Sequence, residues 1–172
     1  MTTHLHALSL DELLRWERAE LDGWARFFDA HPHALGLPFA PGPGGDPRMA
    51  TVHGAVHHVV AVERRYADRL EGSPVTAYEA IPAAPAAALF DAGREANARL
   101  ARWLAGASEA DLRRPIEFQT ISAGTLRASA RKIAAHALLH GVRTWAQIAT
   151  VVRLGGTPTG GRHDFLFSDA TD

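Results

Sequence analysis

At 172 residues, 47% hydrophobic and 22% charged, the chain is long enough for one domain with a real core and has the composition of a soluble globular protein. A formal net charge of −1 argues against a bulk electrostatic grip on nucleic acid or on an anionic membrane surface. The absence of cysteine excludes disulfides, thiolate metal ligands and a cysteine nucleophile.

No apolar run approaches the length of a membrane span. The N-terminal Met1-Thr2-Thr3-His4-Leu5-His6 has no basic region followed by an apolar core, so no signal peptide is expected and the reading is a cytoplasmic protein. Ten histidines are the compositional outlier.

Ser9, followed by Asp11 and Glu12, predicts a capped helix start. Apolar residues then recur near a 3.6 period from Leu10 to Ala30, and His31-Pro32 breaks this first helix. A Pro/Gly-rich loop follows. The second helix is expected from about Arg48 to Leu70, with Val52, Val59, Val62, Tyr66 and Leu70 on its buried arc and Gly72 as its stop. A third helix is expected over about Ala86 to Leu104. Residues 111–125 break the helical pattern, and Pro115 to Ile121 alternates as an extended segment would. The fourth helix is expected from about Leu126 to Leu154, ended by Gly155-Gly156. A tail from about residue 157 carries Phe165 and Phe167, both placed to fold back onto the helices. The sum is an all-α four-helix bundle in one domain over 1–172, with long loops and a short extended segment before the last helix. Bundles of this kind build sites from inward side chains on facing helices.

Stepping 100° per residue around the fourth helix puts His140 at the middle of an apolar face, flanked by His136 and Thr144. A His-x-x-x-His pair on a helix offers two nitrogens to one metal ion. On the second helix the same step puts His58 at the edge of the buried arc, and His57 and His53 towards solvent. Glu63 falls inside the apolar arc, where a carboxylate needs a partner. One histidine from one helix and two from another would make a three-nitrogen site with open positions, the pattern of a catalytic metal.

The segments His58 to Gly72, His136 to Gly155 and His163 to Ser168 resemble the second helix, the last bundle helix and the closing segment of the DinB/YfiT-like metal-binding four-helix bundles. That resemblance implies a divalent metal, nickel or zinc, held by one histidine on the second helix and a His-x-x-x-His on the last. Carried over, the ligands fall on His58 and His140, and the third falls on Thr144, where this chain has no histidine. A hydroxyl replaces imidazole poorly on a transition metal. His136 is a stand-in if the ion shifts one turn along the helix.

The resemblance further implies a thiol-dependent transferase or a hydrolase acting on a small-molecule substrate, with a low-molecular-weight thiol as co-substrate and the metal lowering the thiol's pKa. Arg143 or Arg65 would bind an acidic group of the substrate. It also implies a homodimer, for which Trp16, Trp24 and Trp103 could supply an interface. The alternative is a non-catalytic stress-response or small-ligand-binding bundle that has lost its metal.

Overall fold

A computed structural model describes residues 8–40, 45–120, 124–159, 163, 165 and 168–170. The first helix, α1 (Leu10–Ala30), starts at a capping box. The Ser9 hydroxyl accepts from the Glu12 amide at 3.1 Å, and the Glu12 carboxylate accepts from the Ser9 amide at 2.6 Å. The second, α2 (Val52–Glu71), starts later than its apolar pattern suggests. Pro47–Met49 forms a separate 3-10 turn, and the Thr51 hydroxyl caps the Gly54 amide at 3.1 Å. It ends at Gly72, whose φ of +73° is the left-handed conformation that glycine adopts without strain.

α3 (Ala86–Gly106) runs as expected. The break before the last helix holds more order than its sequence suggests. It contains a short helix, α4 (Glu109–Arg113), and a two-stranded antiparallel hairpin, β1 (Pro115–Thr120) and β2 (Gly124–Ser129), in which Phe118 faces Leu126. The extended segment is therefore present, with Ile121 outside the described residues. The stretch 126–129, expected as the start of the last helix, is strand instead. That helix, α5, spans Ala130–Leu154, because Ser129 turns its side chain to accept from the Lys132 amide and caps the helix there.

The four long helices form a bundle in which α2 and α1 each pack against both α3 and α5. α1 and α2 are thus diagonal neighbours. The core divides into two apolar clusters. One is centred on Trp24, Phe28, Val56, Phe90, Trp145 and Ile148, the other on Leu13, Leu70, Leu100, Ile133 and Leu138. Between them, in chain position, each long helix places a buried polar residue: Glu17 on α1, Glu63 on α2, Asn97 on α3 and Thr144 on α5. The tail returns to α1 as expected. Phe165 meets Trp16 edge-on at 5.9 Å, and His163 stacks on Trp24 at 4.6 Å. Phe167 lies outside the described residues.

The structure corrects two orientations. His57, expected to face solvent, is 7% exposed: its ring meets Tyr78 at 4.6 Å and its Nε2–H donates to the Ile81 carbonyl at 3.1 Å. His53 is half-buried and makes the same kind of bond to Ala83 at 2.6 Å. The connector between α2 and α3 covers this face and uses both imidazoles to satisfy its carbonyls. Trp16 and Trp24 are also buried within the bundle, and of the three tryptophans considered for an interface only Trp103 retains partial exposure.

Candidate functional site

His58 on α2 and His140 on α5 meet across the α2–α5 contact. Their Nε2 atoms are 3.3 Å apart and their ring centroids 5.1 Å. Both Nδ1 atoms are buried without a hydrogen bond, and His58 Nδ1 lies 3.7 Å from Asp46 Oδ2. Arg48 holds that Asp46 in place, donating from its amide, Nε and Nη2. Burial pushes the His140 imidazole down to about 3, helped by the neighbouring His58, Arg143 and His136. Burial lowers His58 too, against the opposing pull of Asp46. Both rings are therefore neutral at pH 7, the state in which imidazole ligates a metal.

Thr144 is where the last helix's geometry puts it, inside the bundle and 1% exposed. Its hydroxyl is committed elsewhere, donating to the His140 carbonyl at 2.9 Å within α5. His136 is exposed at the rim, with its ring 5.5 Å from Tyr66 and 6.0 Å from His140. The structure thus brings His58 and His140 together, keeps His136 one ring away and gives Thr144 a backbone role.

The donor set fits a transition metal in part. Two nitrogens on one tetrahedral ion with bonds of about 2.0–2.1 Å stand roughly 3.3–3.4 Å apart, and the Nε2 pair has that spacing. Asp46 beside Nδ1 is the kind of partner that orients a ligating imidazole. The third donor is missing: among the described residues no three His, Cys, Asp or Glu side chains form a group that could hold an ion. The same 3.3 Å also suits a hydrogen bond in which one Nε2–H donates to the other ring.

Two further groups belong to this region. Glu63 is 2% exposed and Glu17, on the diagonal helix, 1%. Glu17 Oε1 accepts from the Trp145 indole at 2.7 Å, and the carboxyl packs so closely on Gly141 that a Cβ there would sit 2.5 Å from it. Desolvation pushes Glu17 up to about 7, and pushes Glu63 well above its usual range with the help of the Glu17 charge. Glu17 had a sequence signal, a carboxylate four residues from both Leu13 and Leu21 on the apolar stripe of α1. Asp46 had none, because it lies in a loop without periodicity. Two surface clefts of about 420 and 370 Å³ lie away from the histidines, one lined by Arg64, Thr76 and Ile81, the other by Arg15, Trp16 and Ala170.

A sequence profile of the DinB superfamily matches residues 1–148, which include α1, α2, α3, the hairpin and most of α5. The chain belongs to the DinB superfamily. The match spans both histidines of the pair and Thr144. No curated protein matches the chain at significant similarity. Among the described residues no helix of this DinB-superfamily protein is long and apolar enough to cross a membrane.

Proposed function

We propose that this DinB-superfamily protein is a divalent-metal-dependent enzyme of the thiol-dependent transferase or hydrolase type, with a two-histidine centre in place of three. The reading is carried by the 3.3 Å spacing of His58 and His140 Nε2 at the contact between α2 and α5. Zinc or nickel held there would supply a Lewis acid that lowers the pKa of a thiol or water.

The protein's own residues have definite tasks in this scheme. Asp46, fixed by Arg48, keeps the His58 ring turned so that Nε2 faces His140. Burial keeps His58 and His140 in their neutral, singly protonated form. Thr144 holds its hydroxyl on the helix backbone and leaves that corner of the site without a nitrogen, which favours a position open to substrate.

A second reading is a small-ligand-binding bundle without a metal. It is favoured by the same Thr144 bond and by the suitability of the histidine pair for a direct hydrogen bond.

Metal content of untagged protein separates the two. One equivalent of zinc or nickel that disappears in His140→Ala supports the enzyme reading. Absence of metal from the wild-type protein, with uptake of added zinc only by Thr144→His, supports the second and overturns the first.

A further inference from the structure

Six arginines are partly buried among the described residues. Arg48, Arg64, Arg94 and Arg99 each hold at least one carboxylate. Arg65 and Arg69 hold none, and the Nε of each is buried without a hydrogen bond. A half-buried guanidinium outside any salt bridge is unfavourable, and a second one nearby makes it worse. Burial, and then the Arg65 charge, push Arg69 towards its neutral form, against weaker opposing pulls from Tyr66 and Asp68. Within the bundle Arg69 Nη1 donates to the Arg65 carbonyl at 3.0 Å, and neither arginine joins a salt bridge among the described residues. The surroundings of the pair suit a ligand.

Arg65 is seven residues after His58 and Arg69 eleven, so each falls within about 20° of the His58 direction on α2. Both arginines extend the stripe that carries the histidine into the α2–α5 contact. The Arg69 guanidinium lies 5.2 Å from the Tyr66 ring and 5.0 Å from that of Phe118 on the hairpin. Tyr66 in turn meets Phe118 edge-on at 5.8 Å and His136 at 5.5 Å. One row of ring contacts therefore links the arginines to the histidine pair through His136.

We propose that this face of the α2–α5 contact binds a small organic acid, its carboxylate held by Arg65 and Arg69 and its apolar body lying along Tyr66 and Phe118 towards His58 and His140. The inference rests on the function proposed above for the place of the site, not for the presence of a metal. Guanidinium pairs a carboxylate through two parallel N–H bonds, and a flat apolar body suits the ring faces. Arg65 lies about 10 Å along the helix from His58 by rise alone, so the acid end of the ligand sits away from the histidines and its far end reaches them.

The test uses 3-phenylpropionate and its uncharged amide as probes, titrated by calorimetry into protein stripped with EDTA and again after addition of zinc. The acid is expected to bind the metal-free protein at least about tenfold more tightly than the amide. Combined Arg65→Gln and Arg69→Gln is expected to lose about tenfold for the acid and little for the amide. Arg153→Gln, exposed on α5, serves as a control and is expected to bind as wild type does.

If the double variant loses its helical signal, each single variant is read instead, with a loss of about threefold expected. Equal affinity for acid and amide, no saturable binding of either, or unchanged affinity in the arginine variants overturns the inference. Binding of the acid only with zinc and regardless of the arginines also overturns it, and leaves the metal centre standing. Arginine-dependent binding in a protein that takes up no zinc supports the inference and removes the metal reading alone.

Discussion

Glu63 on α2 lies close enough to Glu17 on α1, across the diagonal of the bundle, for the Glu17 charge to push its carboxyl up, and both carboxyls are almost wholly buried. Among the described residues neither forms a salt bridge with a basic side chain. The Trp145 indole donates to Glu17, and Gly141 leaves room for its carboxyl against the backbone of α5. The pair tolerates burial because it keeps a proton that two exposed glutamates would release.

That retained proton sets a pH dependence. The folded-state value of each glutamate is raised, so the folded protein binds more protons than the unfolded chain above the ordinary glutamate value of 4.5. Stability from this source is full below that value and falls as pH rises through about 7 for Glu17. Glu17→Gln is expected to gain roughly 1–3 kcal/mol over wild type at pH 8, with little difference at pH 5. Urea unfolding at the two pH values measures it, and a difference independent of pH counts against a shared proton.

The histidine pair acts in the opposite direction. His58 and His140 have lowered folded-state values, so the unfolded chain binds more protons below 6.5 and stability falls as pH drops, for His140 down to about 3. Together the two pairs predict greatest stability between about pH 4.5 and 6.5. Histidine ring titration by NMR tests the cause. His140 is expected to stay neutral down to about 3. Asp46→Asn is expected to lower His58 further, because Asp46 is the group that raises it.

Gly141→Ala is expected to destabilise the protein by about 1–3 kcal/mol, the usual cost of overpacking a filled interior. The new Cβ meets the Glu17 carboxyl, which is itself enclosed. Combining it with Glu17→Ala opens the space and is expected to recover part of the loss in a double-mutant cycle. Strict additivity of the two changes would mean that the contact does not govern the cost.

His57→Ala is expected to cost about 1–2 kcal/mol and to loosen the connector between α2 and α3, since it leaves the Ile81 carbonyl without its donor. Faster amide exchange over residues 76–83, with the α5 amides unchanged, is the expected signature. A uniform loss of protection would point to global destabilisation instead.

The four long helices were legible because each carries an apolar stripe of at least 20 residues, which repeats long enough for its period to show. The second strand of the hairpin was not. Thr125, Leu126, Arg127 and Ala128 alternate for only four residues with one large apolar side chain, and residues 124–127 are all exposed, so no buried face marks them as strand. His57 was misplaced for a related reason. The step around α2 reports angles, while the burial of that face comes from a connector that has no period of its own.

Within the site, the direction of His58 and His140 followed from helix geometry, and so did the inward aim of Thr144. Asp46 and the use of the Thr144 hydroxyl depend on loop placement and rotamer choice, which spacing does not encode. Glu63 stood out as a carboxylate on an apolar arc, but its partner Glu17 lies 46 residues earlier, on a helix that touches α2 only across the diagonal.

Trp145 donates its indole N–H to Glu17 and stacks on Trp24 at 5.8 Å, nearly parallel. An indole hydrogen-bonded to a carboxyl that changes charge near neutrality, and coupled to a second indole, gives the protein an intrinsic optical gauge. Its near-ultraviolet circular dichroism and its tryptophan emission are set to follow the ionisation of the bundle's centre without any added label.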